Sequence, residues 1–407
     1  MLVLVINCGS SSVKYNLIET ADRKELCRGI VERIGAVTSI VTHQFDDGER
    51  TKDTRVISNH SEAIQEIMSF LLESDNGILE SADQIKAVGH RVVHGGEQFK
   101  DSVLIDEEVK GAIKEAIDLA PLHNPPNLKG IEAAEDRLPD IPHVAVFDTA
   151  FHQSIPPKAY LYGIPNRLYR KYKIRRYGFH GTSHYYVSRE YYKHIDKPRE
   201  ETRVISCHLG NGASIAAIRG GESIDTSMGF TPLSGLVMGT RSGDIDPSIL
   251  FYIVEKEELT LNSLHAMLNR HSGLLGLSGY ASDMRELISE AKSGDRRCQQ
   301  AIDVFCYDIK KYIGSYMASL NGCDAILFTA GIGENSPLIR QKALEEMEGL
   351  GVKLDEEKNK NAESGKMVKI STDDSETEVF VVPTNEELVI AIDAAKIASA
   401  RSQSPWV

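Results

Sequence analysis

LVLVINCGSSSVKYNLIE, residues 2–19, enters on an apolar run, turns through glycine and serine, and leaves with Val13, Tyr15 and Leu17 alternating with polar residues. That is the period-two signature of two strands joined by a small-residue turn. The same sentence recurs about two hundred residues later, where Val204 and Ile205 enter, HLGNGAS at 208–214 turns, and IAAIRGGE leaves. Two matching β-hairpins in one chain predict a duplicated unit.

The duplication extends outward from both hairpins. Residues 62–75 carry Ile64, Ile67, Met68 and Leu71 at helical spacing and lead to a strand-like stretch ending in HRVVHGG at 90–96. Residues 299–320 repeat the pattern with Ile302, Phe305, Ile309, Ile313, Tyr316 and Leu320, and lead to AILFTAGIGEN at 325–335. Each half therefore offers a hairpin, a helix, then a strand and a glycine turn. Glycine turns at strand ends are where mixed α/β folds hold ligands. Val144 to Phe147 form a short strand ending in Asp148, and Pro156, Pro157 and Pro165 follow, which puts a domain boundary near residue 150. From Glu386 to Ala400, Leu388, Ile392 and Ala395 share one face of a terminal helix. The segment DDSETE at 373–378 reads as a solvated acidic loop.

A length of 407 residues suits two or three domains. A formal net charge of −13 disfavours nucleic acid and anionic membranes as partners, since both attract basic surfaces. Phosphate-bearing ligands are then expected to be small and held locally. Apolar runs such as Leu2 to Ile6 fall far short of the roughly 20 residues that span a bilayer. Without a basic n-region or cleavage site at the start, a cytoplasmic location is expected. The six cysteines form no CxxC pair, as expected of reduced thiols rather than disulfides or a zinc site.

No GxxxxGK[ST] loop is present, so a nucleotide would be held another way. At the hairpin turns, Gly9 and Gly210 are free to adopt positive φ and let neighbouring N–H groups converge on an anion. The hydroxyls of Ser10 to Ser12 and the ammonium of Lys14 add donors. Either turn alone is equally a plain structural hairpin. Together they point to the actin-like ATPase and sugar-kinase architecture, in which two related RNase H-like domains with mixed sheets, flanked by helices, hold ATP in the cleft between them.

NCGSSSVK at 7–14, GHRVVHGGE at 89–97, PLHNPPN at 121–127, VFDTAFH at 146–152 and YGFHGTSH at 177–184 resemble motifs of the acetate kinase family. So do CHLGNGAS at 207–214, TSMGFTPLSGLVMGTRSGDIDP at 226–247, TAGIGEN at 329–335 and PTNEE at 383–387. They stand in the family's order and cover nearly the whole chain. The resemblance implies a homodimeric enzyme that takes ATP and acetate with Mg²⁺ or Mn²⁺. It also implies an N-terminal domain of residues 1–150 plus 385–407 and a nucleotide-binding domain of residues 151–384.

The chemistry constrains the roles. Two like charges about 4 Å apart repel by about 4 kcal/mol at an effective dielectric near 20, so acetate cannot approach ATP without cations. Arg91 and Arg241 suit that task because guanidinium stays charged and grips oxyanions with a planar fork. Arg91 is expected just after a strand, Arg241 in a Gly/Ser-rich loop able to close over ligands. A histidine can donate a hydrogen bond to a developing phosphoryl oxygen, and the resemblance implies that role for His180. A zinc reading of His180 with His184, or His90 with His94, lacks the accompanying HExxH glutamate. Asp148 stands at a strand end as an active-centre carboxylate, or alternatively as a helix N-cap.

By resemblance, Asn7 and Glu386 reach the metal. His208, Leu209, Gly210, Asn211 and Gly212 meet the phosphates with Ser10, Ser12 and Lys14. Gly331, Ile332, Gly333, Glu334 and Asn335 line the adenine side, and Asp283, Met284 and Arg285 the ribose and base. Val93, Leu122, Phe179 and Pro232, with His123, would form the acceptor pocket. One methylene discriminates by only about 1–3 kcal/mol, so propionate is expected to be a poorer substrate rather than an excluded one. The competing readings are a kinase for another carboxylic acid and a non-catalytic nucleotide-switched module.

Overall fold

In the computed structural model, which describes residues 1–72 and 78–402, both expected hairpins form. Strand β1 (Leu2–Cys8) pairs antiparallel with β2 (Ser12–Glu19), from Leu2 opposite Glu19 to Cys8 opposite Val13. Further along, β3 (Lys24–Glu32), β4 (Ser39–Phe45) and β5 (Arg50–Arg55) extend this meander. Then come α1 (His60–Leu72), β6 (Ile85–Val92), β7 (Val103–Leu104), α2 (Glu107–Glu115), α3 (Asn124–Arg137) and β8 (His143–Phe147). The eight-stranded sheet runs β5-β4-β3-β2-β1-β6-β8-β7, with β1, β6 and β8 parallel.

The chain divides into two compact units, Met1–Ala150 with Asn385–Val407, and Phe151–Thr384. Residues 403–407 of the first unit lie outside the described residues. In the second unit, the short helices α4 (Pro157–Tyr160) and α5 (Asn166–Tyr172) precede α6 (Gly181–Tyr192). Then β9 (Arg203–Leu209) and β10 (Ala213–Arg219) pair as the second hairpin and β11 (Glu222–Thr226) joins them. Helices α7 (Pro247–Lys256), α8 (Leu261–Arg270), α9 (Gly273–Ser278), α10 (Met284–Lys292) and α11 (Arg296–Leu320) follow. The unit closes with β12 (Ala325–Thr329), α12 (Ala330–Asn335), α13 (Pro337–Leu344), α14 (Glu356–Lys360), β13 (Val368–Lys369) and β14 (Glu378–Val381). Its six-stranded sheet runs β11-β10-β9-β12-β14-β13.

The two sheets share one plan. An antiparallel hairpin contributes its first strand to a parallel set, β1-β6-β8 in one unit and β9-β12-β14 in the other, and an antiparallel edge strand finishes each. Residues Val3 to Ile6 are all buried, so β1 is covered on both faces, as central parallel strands are. Leu4 and Ile6 join a core with Ile64, Ile67 and Leu71 of α1 and Ala134 of α3. The terminal helix α15 (Glu386–Ser402) returns to pack on β1, β6 and β8. In the second unit, α11 buries Ile302, Phe305, Ile309, Ile313, Tyr316 and Leu320, the residues whose spacing announced it, and packs on β9 and β10. Among the described residues, no helix is long and apolar enough to cross a membrane.

Several expectations are corrected. The helix read over 62–75 begins at His60 and is described to Leu72; residues 73–75 lie outside the described residues. Arg91 lies inside β6 rather than after it. AGIGEN is not a glycine turn but the helix α12, entered through Ala330 at φ 64° and closed by Glu334, whose Oε1 accepts from the Ala330 N–H at 2.9 Å. Neither Gly9 nor Gly210 sits at positive φ. Each instead allows a tight turn: Gly9 N–H donates to the Ser12 carbonyl (2.8 Å) and Gly210 N–H to that of Gly212 (3.1 Å). A Cβ at Gly210 would stand 3.2 Å from the Gly212 carbonyl oxygen.

Helix α3 approaches β1 at Gly130, where a Cβ would lie 2.2 Å from Cys8 Sγ and 2.8 Å from Cys8 Cβ. Gly130→Ala should therefore cost about 1–3 kcal/mol of stability. Gly111→Ala in α2, where a Cβ meets nothing within 4 Å, should gain about 0.5–1 kcal/mol from helix propensity. Urea midpoints of the two variants check the contrast; equal shifts would contradict this packing.

Candidate functional site

Parallel pairing of β6 with β8 sets Arg91 opposite Val146 and carries Asp148 just past the end of β8, where its N–H donates to the Val92 carbonyl at 3.0 Å. The side chains then meet as a two-pronged pair. Arg91 Nε donates to Asp148 Oδ1 at 3.0 Å and Nη2 to Oδ2 at 2.7 Å. Asp148 is buried and Arg91 a quarter exposed, so the pair presents a guanidinium edge to solvent while its carboxylate stays sheltered. Asp148 holds the Arg91 guanidinium firmly in its charged form.

Glu386, at the start of α15, joins this cluster. Burial pushes its carboxyl up to about 7, with Asp148 and Glu387 adding to the rise and Arg91 and Lys14 opposing it. Lys14 and Asn7 face one another across the first hairpin, on β2 and β1. Five of the expected residues, Asn7, Lys14, Arg91, Asp148 and Glu386, are thus gathered at one edge of one sheet. Ser10 is exposed and Ser12 half-buried in the turn beside them.

The asparagines of NPPN, which no local sequence pattern marks as functional, hold this edge in place. Asn127 Oδ1 accepts from Val93 N–H (3.1 Å) while its Nδ2 donates to the Cys8 carbonyl (2.8 Å). Asn124 Oδ1 accepts from His94 N–H (3.2 Å), and its Nδ2 donates to the carbonyls of His94 (2.9 Å) and Ile113 (3.0 Å). Val93 is consequently buried with a fixed backbone, whereas Leu122 is half exposed and His123 stands at the N-cap of α3 without a capping side-chain bond.

In the second unit, His180 adopts the left-handed conformation (φ 55°, ψ 24°) ahead of α6 and stacks on His208 with ring centroids 4.2 Å apart. Its Nδ1 lies 3.0 Å from Ser214 Oγ. Gly212 completes the arrangement: the position a Cβ would occupy lies 3.4 Å from His180 Nε2 and 3.6 Å from Arg241 Nη1. A side chain there would come into contact with both groups, the His180 ring meeting it through Cε1 and Nε2 alike at 3.4 Å. Burial lowers the Arg241 pKa, and its Nη1 donates to the Pro232 carbonyl at 3.2 Å.

The Arg241 loop is held by backbone hydrogen bonds to neighbouring segments of its unit. Leu274 N–H donates to the Met238 carbonyl, Leu275 N–H to that of Gly239 and Ser272 N–H to that of Thr240. Gly239 N–H donates to the Asn211 carbonyl at 2.9 Å, and a Cβ at Gly239 would lie 1.9 Å from Asn211 Oδ1. Leu209 and Phe179 are buried, and the Phe179 carbonyl is 3.1 Å from His152 Nε2. On α12, Gly331 and Asn335 are exposed, Ile332 and Glu334 half-buried and Gly333 buried. Arg340, fully buried, donates to the Gly333 and Glu334 carbonyls (each 2.8 Å) and pins the end of that helix. Asp283 caps α10 and grips the exposed Arg285 at 2.6 Å, with Met284 buried between them.

The zinc reading of the histidines gives way to protein partners. His90 Nε2 lies 2.9 Å from His143 Nδ1, His94 Nδ1 accepts from Gly96 N–H, and both ring nitrogens of His184 lie 2.8 Å from serine hydroxyls. Mg²⁺ asks for less than a cage: it keeps several waters and takes one or two carboxylates, with phosphate oxygens completing its shell. Glu386, a sheltered carboxylate that gains from a nearby cation, and Asn7 with its neutral oxygen fit such an ion. Among the described residues, no three or more His, Cys, Asp or Glu side chains group as a metal cage.

A duplicated hairpin-and-parallel-sheet plan, with Lys14, Arg91 and Asp148 gathered at the strand ends of one unit and His180 and Arg241 brought beside the small-residue hairpin turn of the other, defines a phosphoryl-transfer protein of the actin-like ATPase and sugar-kinase class. The model of the acetokinase family matches residues 2–392. An acetate kinase of Thermotoga maritima is 56% identical over 398 residues, covering 98% of each chain. A crystal structure of Porphyromonas gingivalis acetate kinase superposes with a TM-score of 0.94 at 45% identity, over 97% of this chain and 99% of that one. A propionate kinase from Francisella tularensis gives 0.91 at 42%, with the same coverage. This chain belongs to the acetokinase family.

Burial holds the imidazoles of His43 and His152 down to about 4, against an ordinary value of 6.5. Their neutral forms are favoured in the folded state, so their stabilisation is fully present above pH 6.5 and is lost as pH falls towards 4. Each should remove roughly 2 kcal/mol between pH 6.5 and 5. Urea unfolding at pH 7 and pH 5 measures this; an unchanged midpoint would show the rings to be solvated.

Proposed function

We propose that this chain transfers the γ-phosphoryl group of ATP to the carboxylate of acetate, giving acetyl phosphate and ADP, and catalyses the reverse. The observation that carries this reading is the Arg91–Asp148–Glu386 cluster, in a chain that aligns nearly end to end with acetate kinases. A forked guanidinium, charged at any working pH and fixed by a sheltered carboxylate, is suited to an oxyanion.

In this reading Arg91 binds the acceptor carboxylate and Asp148 orients Arg91. Arg241 and His180 bear on the transferring group, and the His208–Gly212 turn holds the phosphates with Ser10, Ser12 and Lys14. Residues 331–335 line the adenine, and Asp283 to Arg285 the ribose and base. Val93, Leu122, Phe179, Pro232 and His123 shape the acceptor pocket, with buried Val93 favouring acetate over propionate. Bound Mg²⁺, or Mn²⁺ in its place, supplies charge neutralisation on the polyphosphate, with Asn7 and Glu386 reaching it directly or through water.

Transfer is direct: an acetate oxygen attacks the γ-phosphorus, the bond to the β-bridging oxygen breaks, and ADP leaves with that electron pair. Both oxygens of Asp148 are already taken by Arg91, which supports Asp148 as a positioning group rather than a phosphoryl carrier. The net charge of −13 fits small-molecule partners without nucleic acid or membrane, and six buried free cysteines fit a cytoplasmic setting.

Acyl phosphate trapped with hydroxylamine should form with acetate, less efficiently with propionate, and Arg91→Ala or Arg241→Ala should each lose about 10³–10⁵ in rate. No acyl phosphate from any acid, despite ATP binding, would remove the function. Preference for propionate would reassign the acceptor. Rapid quench with γ-labelled ATP and no acetate should give no labelled enzyme; a competent stoichiometric intermediate would overturn direct transfer.

A homodimer belongs to the same reading. Helix α7 buries none of its residues and exposes Phe251 (77%) and Tyr252 (63%), while α8 exposes Leu261 (78%), an apolar face suited to a second copy. Phe251→Arg should shift the protein towards monomer in light scattering, and an unchanged mass would place the interface elsewhere.

A further inference from the structure

Beneath His180 runs a buried chain of alternating hydroxyls and imidazoles. Ser214 Oγ stands 3.0 Å from His180 Nδ1 and 2.8 Å from His184 Nε2, and His184 Nδ1 stands 2.8 Å from Ser206 Oγ. Ser206, His184 and Ser214 are all fully buried. Adjacent strands supply the two serines: Ser214 lies opposite His208 on β10, and Ser206 opposite Ala216 on β9. His184 reaches between them from α6, one turn after His180.

Proton counting restricts what this chain can do. A serine hydroxyl has one proton, so Ser214 donates to one ring only. Burial keeps His184 well below the ordinary imidazole range, and a neutral ring carries one N–H. If that proton sits on Nε2, His184 donates to Ser214, Ser214 donates to His180 Nδ1, and the proton of neutral His180 must lie on Nε2. If it sits on Nδ1, the order reverses, and a lone pair of neutral His180 faces the space beside Arg241 Nη1. With His180 neutral, only the first order presents a donor to an anion there.

We propose that Ser214 and His184 are positioning residues that set the tautomer of His180, running Ser206 → His184 → Ser214 → His180 so that Nε2–H faces the space over Gly212. This rests on the reading of His180 as the group that hydrogen-bonds the transferring phosphoryl. The chain does for His180 what a carboxylate does in other sites: it selects the ring proton. Hydroxyls do so without adding negative charge near the phosphates.

The test is nitrogen NMR of ¹⁵N-histidine-labelled full-length protein, with the His180 ring assigned by its loss in His180→Gln. The expected result is an Nε2–H ring in the wild type and in Ser214→Thr, and a tautomer mixture in Ser214→Ala. Ser214→Ala should lose about 10–100-fold in kcat with KM for ATP changed by less than about threefold, and Ser214→Thr should recover most of the loss. An Nδ1–H ring in the wild type, or a folded Ser214→Ala whose His180 spectrum and kcat match the wild type, overturns the proposal. If Ser214→Ala does not fold, the wild-type and Ser214→Thr spectra decide. The spectra are independent of turnover, so a protein that phosphorylates no acid yet shows the Nε2–H ring would sink the functional reading and leave this one standing.

Discussion

Parallel pairing of β1, β6 and β8 is the constraint on which the N-terminal constellation depends. Side chains at the ends of parallel strands emerge on one edge, so residues 7, 91 and 148 become neighbours although the chain separates them widely. The ion pair between Arg91 and Asp148 is worth more as orientation than as stability, since taking two charges from water offsets much of their attraction. It holds the partly exposed Arg91 guanidinium in one orientation.

The edge is reinforced from behind by groups that take no part in chemistry. Two asparagines on α3 clamp the strand-end backbones at Cys8, Val93 and His94. Gly130 and Gly89 let α3 and α15 approach the sheet more closely than any Cβ would allow. In the second unit, the corresponding reinforcement is polar: Arg340 under α12, and the histidine–serine chain beside the turn of the second hairpin. Both are buried and well partnered, as interior polar groups must be.

Legibility in the sequence followed periodicity. The alternation in residues 13–17 and the helical spacing from Ile302 to Leu320 lay wholly within local segments, and both elements formed where expected. Glycine-rich stretches were harder. AGIGEN carries no apolar period, and its helix exists because Glu334 closes the first turn from within it. Gly9 and Gly210 are each able to take positive φ, yet the turns they make need their lack of bulk instead. The anchored loop around Arg241 was equally invisible, because its partners Leu274, Leu275 and Asn211 come from elsewhere in the unit.

By itself, the sequence determined the duplicated hairpin plan, the helix and strand that follow each hairpin, and which residue types were available for phosphoryl chemistry. These are set by local patterning and by composition. Only the tertiary structure decided which of those residues meet. The partnership of Arg91 with Asp148, the approach of His180 and Arg241 over Gly212, and the burial that raises Glu386 and lowers His184 depend on distances between segments far apart in the chain. Electrostatic environment is a property of packing, and packing follows from strand order and helix placement that no single segment encodes.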